Sequence, residues 1–276
     1  MIKSIYFPNI EFKTELDFFH ALKTHSKEII DFKTSIIHKS IEKGQGVNYI
    51  SIERKENTEK LNGFKNGFIY PIINSTGFMD SHDDCHFKGC YTKTVSDRQG
   101  KVYFVDTHGK TGQSIISRKS DIKMFIDDVD WRLLGKNYNG LTECLLFEIN
   151  RSKVKPEYLE LMDNEDDIEC SIQMQYVKMF LAINSKDPSF VEEYKMFEKH
   201  IDEIANKDLA LEKNYFFGVT ELKIVNEGSL CPITGGSNSA TRVYQNKIEA
   251  VIDTSKNEPS NDTQTEEKKN YYKHLI

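Results

Sequence analysis

Ile168-Glu-Cys-Ser-Ile-Gln-Met-Gln-Tyr (168–176) opens a run rich in β-branched and aromatic residues that continues to Ile183. It reads as a strand over Cys170–Ile183, much longer than the usual strand of about five or six residues. Successive strand side chains point to opposite faces, so Cys170 and Ser171 cannot both meet the same partner. Further strand-like runs lie at Phe68–Asn74, Lys101–Asp106, Gln113–Ser117, Leu141–Ile149 and Phe216–Val225. Short helical candidates fall between them. Ser120–Asp127 is one, and Pro156–Met162, with Pro156 in a first-turn position, is another. The clearest is Ser189–Asn206, where Ser189 and Glu192 form a capping box. There Phe190, Tyr194, Phe197, Ile201 and Ile204 make the apolar stripe of a helix packed on a core.

The ends of the chain have a different texture. Residues 1–13 are short and aromatic, and from Thr14 the pattern turns helical, with Thr14 and Asp17 resembling a capping box. Phe18, Leu22, Ile29, Ile36 and Ile37 line one broad face of one or two helices. Gly44 and Gly46 interrupt this region, and the polar stretch 54–67, with Gly63 and Gly67, reads as a linker. Thr254 to Lys269 has too few apolar residues to offset chain entropy and is expected to be disordered. No internal repeat is present. The organisation expected is a helical N-terminal extension and linker at 1–67, a β-rich domain at 68–243 and a flexible tail at 244–276.

The bulk numbers narrow the classes of function. A chain of 276 residues suits one large domain, or one domain with appendages. Hydrophobic residues at 38% and charged residues at 29% make it polar, yet 17 Phe and 13 Tyr can still build a core. A net charge of −6 argues against a general nucleic-acid binder, which needs clustered Lys and Arg. No apolar run follows Met1, so no signal peptide is expected, and no stretch approaches the roughly 20 apolar residues of a membrane span. Five cysteines, an odd number, without a secretion signal point to reduced thiols in a cytosolic compartment.

Three clusters carry candidate chemistry. Asp80-Ser-His-Asp-Asp-Cys-His (80–86) with Cys90 is dense in metal-ligand types, and His82, Cys85, His86 and Cys90 can in principle surround zinc. Their spacing fits no common zinc pattern, and a polar turn with Asp and His capping backbone groups is favoured. Val105-Asp-Thr-His-Gly (105–109) ends a strand-like run in a turn that can aim the His108 imidazole across a sheet edge. A serine hydroxyl is a poor nucleophile until a base takes its proton, so Ser171 needs such an imidazole nearby; Cys170 is the alternative nucleophile. Glu221 and Glu227 flank the end of the last expected strand, and either can orient His108 as the third member of a triad. Glu227 opens a turn-rich segment, 227–238, in which Gly235 and Gly236 suit positive backbone angles.

The order of these pieces resembles the tailed-phage prohead proteases, the capsid-maturation serine proteases related to herpesvirus assemblins. Four segments carry the resemblance: Asp83–Tyr91, Val105–His108, Ile168–Tyr176, and Glu227-Gly-Ser-Leu-Cys-Pro followed by Ser237–Thr241. Together they span roughly residues 70–243. The chain is most similar to versions from phages of Bacteroidetes-type hosts, which also carry a helical insertion where this chain has 187–206. The resemblance implies an α+β fold, a small, mostly antiparallel β-barrel surrounded by helices. It implies a serine endopeptidase with Ser171 as nucleophile, His108 as general base and Glu227, with Glu221 as fallback, as the orienting carboxylate. Its substrates would be the major capsid protein and scaffold segments, cut in the host cytoplasm inside the assembling prohead. No cofactor or metal, no nucleic acid and no membrane partner is expected, and self-association as a homodimer follows from the assemblin relationship. The rivals are a catalytically inactive scaffold or capsid-interaction protein of the same fold, and an unrelated metal-dependent nuclease or hydrolase built on 80–90.

Overall fold

A computed structural model of the chain describes residues 1–38, 64–164, 168–231 and 242–244. Gly44, Gly46, residues 54–63 of the expected linker, the segment 232–238 with Gly235 and Gly236, and the tail beyond residue 244 lie outside them. The aromatic start of the chain forms a hairpin of β1 (Ile2–Ser4) and β2 (Phe7–Phe12), followed by helices α1 (Glu15–Thr24) and α2 (Ser26–Ser35). The Thr14 hydroxyl caps α1 by accepting the Asp17 N–H at 3.1 Å.

From residue 68 onward strands dominate. In chain order they and the helices are β3 (Phe68–Ser75), β4 (Asp84–His86), α3 (Thr92–Arg98), β5 (Tyr103–Asp106), β6 (Ile115–Ser117), β7 (Ile122–Asp130) and β8 (Leu141–Asn150). There follow α4 (Pro156–Asn164), β9 (Glu169–Ile183), α5 (Val191–His200), α6 (Lys207–Lys213), β10 (Tyr215–Cys231) and β11 (Arg242–Tyr244). The α+β class is as expected from the sequence. No helix among the described residues is long and apolar enough to cross a membrane.

The axis of the main sheet is β10, a strand of 17 residues. Along one edge it pairs antiparallel with β9 for nearly its whole length. Along the other it pairs in parallel first with β4, at residues 217–219, and then with β5, at residues 227–230. β6 continues the sheet beyond β5. A second sheet has the order β11-β3-β8-β7, all antiparallel. One core cluster joins the two sheets: Ile69, Ile73, Leu145, Phe147 and Ile149 of β3 and β8 pack with Cys170, Ile172, Met174, Ile224 and Leu230 of β9 and β10.

The expected barrel is corrected by this arrangement. A barrel needs an unbroken ladder around its circumference, and none of the sheets closes among the described residues. Among the described residues, the margins of β11 and β9 meet through the backbone bond Val243 N–H to Ile168 O at 3.2 Å and form no ladder. A second correction concerns Ser120–Asp127, which is strand β7 preceded by a short 3-10 turn, not a helix. Ile122, Met124 and Ile126 satisfy a period of two, and an unbroken register with β8 from Ile122↔Ile149 to Asp130↔Leu141 decides the matter. Short apolar runs fit either period until a partner strand is present.

The insertion expected as one helix at 189–206 is a 3-10 turn, α5 and a second 3-10 turn in series. Its entry is capped by Asp187, which accepts the Ser189 N–H at 2.8 Å, and not by Ser189 itself. Phe190, Phe197 and Ile204 of the stripe are buried. The N-terminal hairpin and helices share a core with the main sheet, where Phe12, Phe18, Phe19 and Leu22 pack with Leu181, Ile183, Phe190, Tyr215 and Phe217. Lys33 of α2 adds a buried ion pair, reaching Asp84 Oδ1 at 2.5 Å and the His82 carbonyl at 3.1 Å.

Gly228 marks the tightest approach between β10 and the second sheet. A Cβ there would fall 2.7 Å from the Phe147 ring and 3.0 Å from Ile73. Gly228→Ala is therefore expected to cost ~1–3 kcal/mol through overpacking. Urea denaturation checks this as a lower midpoint at constant slope; an unchanged midpoint would mean that the two sheets do not press together at this point.

Candidate active site

Three adjacent strands build one polar site at the end of the main sheet. On β10, Gly228 and Leu230 face the apolar core, so Glu227 and Ser229 point to the opposite face. Ser229 lies directly across from Ser171 on β9. On the other edge Glu227 and Ser229 are in register with Tyr103 and Val105 of β5, the strand that leads into His108. Just before this point three residues of β10, 225–227, face the single residue Gln173 of β9. This bulge reorients the strand where the polar face begins, as bulges beside functional sites commonly do.

The turn after β5 is strained. Thr107 and His108 have φ of 41° and 54°. Left-handed backbone costs an L-residue roughly 1–2 kcal/mol, and a β-branched residue such as Thr107 is the more unusual case. Three hydrogen bonds hold the turn: Thr107 N–H to Leu230 O at 2.9 Å, Gly109 N–H to Asp106 O at 2.7 Å, and His108 N–H to Ser229 Oγ at 2.9 Å. Two of the three end on β10, so the central strand fixes the turn that carries the imidazole.

The resulting geometry is that of a carboxylate–imidazole–hydroxyl relay. His108 Nε2 lies 2.9 Å from Ser171 Oγ, and Nδ1 lies 2.7 Å from Glu227 Oε1. The second carboxylate oxygen, Oε2, accepts a hydrogen bond of 2.7 Å from the Ser229 hydroxyl. A carboxylate can only accept, so a neutral His108 carries its proton on Nδ1 and presents the Nε2 lone pair to the serine. Ser171 is fully buried, and His108 and Glu227 are each about 6% exposed. Low dielectric strengthens each of these contacts.

The other candidates go elsewhere. Cys170 points into the apolar core, and burial holds its thiol well above the ordinary range, which suits packing and not thiolate chemistry. Burial first, and the Glu227 carboxylate next, push the Cys231 thiol up to about 12. Glu221 pairs with Lys178 across the strand pair, seven residues along β9 from Ser171. The four metal-ligand candidates do not converge. Cys85 lies in one hydrophobic cluster and Cys90 in another, and among the described residues no three His, Cys, Asp or Glu side chains form a metal-holding group. The Asp-rich turn instead ties down backbone and cations. Asp80 Oδ1 accepts the N–H groups of His82 and Asp84 at 2.8 and 2.9 Å, while Asp83 takes the Tyr215 hydroxyl at 2.5 Å and the Lys213 ammonium.

Ser229 is the site residue that the sequence reading passed over as a contributor. The signal was available, since strand alternation places residue 229 on the same face as Glu227 once β10 is extended past Val225.

Thr107→Gly is expected to hold or raise stability, by up to about 1 kcal/mol, because glycine tolerates the left-handed turn. Thermal unfolding of the variant beside the wild type checks this, and a loss above about 1 kcal/mol would contradict the strained turn. No known protein family, curated protein or solved structure matches this chain.

Proposed function

We propose that the protein is a serine endopeptidase acting through Ser171, His108 and Glu227, and, on the strength of the sequence resemblance, that it is a prohead maturation protease. The observation that carries the first part is the placement of His108 Nε2 at 2.9 Å from Ser171 Oγ with Nδ1 at 2.7 Å from Glu227. A nucleophile, its base and an orienting carboxylate within hydrogen-bond reach are what acyl transfer needs. His108 takes the Ser171 proton as Oγ attacks the scissile carbonyl carbon. The imidazolium, stabilised by Glu227, then protonates the departing amine. Water then attacks the acyl carbon as His108 takes its proton, and His108 passes that proton to Ser171 Oγ as the ester bond breaks and the acid leaves. The substrates in this reading are capsid and scaffold segments, cut inside the assembling head in the host cytoplasm.

Ser171 is fully buried, so substrate cleavage requires a state in which its hydroxyl is exposed. The same burial favours a second reading, an inactive scaffold or capsid-interaction protein that keeps the polar site as a structural network. A fluorophosphonate probe separates the two. The protease reading expects covalent labelling at Ser171 in the wild type and none in Ser171→Ala. Coexpression with the major capsid protein should show processing that stops in Ser171→Ala. Glu227→Gln should keep the shape but slow labelling by ~10³–10⁴-fold, the order seen when a triad carboxylate is neutralised. An unlabelled wild type, or processing that persists in Ser171→Ala, overturns the assignment.

A further inference from the structure

We propose that Ser229 is a positioning residue of this site, one hydroxyl that fixes both the carboxylate and the backbone of the base. The inference rests on the protease reading of Ser171, His108 and Glu227. Ser229 Oγ donates to Glu227 Oε2 at 2.7 Å and accepts the His108 backbone N–H at 2.9 Å. It also lies 3.3 Å from His108 Nδ1, farther than the 2.7 Å from Nδ1 to Glu227 Oε1, so the Nδ1–H donates to the carboxylate. Ser229 is fully buried and directly opposite Ser171 in the β9–β10 register.

Each contact restrains a different freedom. A glutamate carboxylate turns in a broad, shallow torsional well about its last bond. With Oε2 held by Ser229, Oε1 stays aimed at Nδ1. The His108 backbone sits at φ 54°, a conformation that must be held by its surroundings. With the His108 N–H bound to the same hydroxyl, the ring's starting point and its orienting partner are referred to one atom on the central strand. Removing that oxygen lets the carboxylate turn and leaves a buried N–H without this acceptor. Ser229 is fully buried, so its truncation leaves the exposed surface unchanged and the expected loss falls on the chemical step and not on binding.

The test compares wild type with Ser229→Ala, Ser229→Thr, Glu227→Gln and the Ser229→Ala/Glu227→Gln double variant. The probe is a fluorophosphonate, with its maximal inactivation rate and half-saturating concentration measured separately. Ser229→Ala should lower the maximal rate by ~10–100-fold and leave half-saturation within about twofold. Ser229→Thr, which keeps the hydroxyl, should recover most of the rate. In the Glu227→Gln background Ser229→Ala should cost little more, because contacting residues of one network are not additive. Proton NMR adds a readout free of turnover: the strongly hydrogen-bonded His108 Nδ1–H should resonate far downfield in wild type and in Ser171→Ala, and move or vanish in Ser229→Ala. If wild type is labelled while Ser229→Ala labels at the same rate with an unmoved resonance, the positioning role is overturned and the protease reading stands. If wild type is not labelled but the resonance depends on Ser229, the positioning contact stands and the assignment of Ser171 as nucleophile falls. Absence of both label and Ser229-dependent resonance overturns both.

Discussion

Hydrogen bonding along both edges of β10 is the constraint on which the rest of the site depends. A strand paired on one side can slip, and a slip of one residue would send Glu227 and Ser229 into the apolar core and bring Gly228 and Leu230 out. Here β9 fixes the register on one side and β5 fixes it again on the other. Leu230 and the cradle of Phe147 and Ile73 around Gly228 add a packing restraint on the opposite face. Ser171 and Glu227 therefore sit on neighbouring strands, and His108 in the turn just after a third, with little freedom between them. Precision of this kind is easier to hold on strands than on loops.

The one loop element in the site, the Thr107–His108 turn, is also where the backbone departs from comfortable geometry. Two consecutive left-handed residues at ordinary L-amino acids cost a few kcal/mol taken together. The structure offsets that cost locally, through the Thr107 N–H bond to Leu230 and the His108 N–H bond to Ser229. A relaxed turn would carry the imidazole away from the line between Glu227 and Ser171. Strain and the candidate site therefore meet at His108, and the central strand that carries the carboxylate also holds the turn.

What the sequence revealed follows from which features are local. The period of two along 168–183 puts Cys170 and Ser171 on opposite faces, and the packing of the two sheets decides that Cys170 is the one in the core. Thr14 as a cap and Pro156 at the first residue of α4 were equally legible, since both act within one turn of chain. Ser120–Asp127 misled because its strand character comes from β8, twenty or so residues away. The three-residue strands β1 and β4 are too short to leave a period. The barrel came from resemblance, and only the pairing of strand margins decides closure. Proximity of His108, Ser171 and Glu227 is a long-range fact as well; order along the chain suggested it, and the pairing partners of β10 produce it. Ser229 was missed because the last strand was expected to stop at Val225, six residues before its end.

The Asp80–His86 turn makes the complementary point about reading chemistry from composition. It holds three aspartates and two histidines within seven residues, yet its surroundings remove what those groups need for catalysis. Burial pushes the His86 ring down to about 3, so it is a feeble base near neutral pH. Asp83 and Asp84 are engaged with Lys213, Tyr215 and Lys33, and through Lys33 the turn fastens helix α2 to the sheet. Both clusters border β10: the Asp-rich turn beside residues 217–219, the candidate site at 227–229. In the first the aspartates are held by backbone N–H groups, the Tyr215 hydroxyl and the Lys33 and Lys213 ammoniums. In the second a carboxylate is matched to an imidazole whose remaining nitrogen faces a hydroxyl, which leaves a proton with somewhere to go. The difference lies in which groups face one another, and residue counts in a sequence window do not carry that distinction.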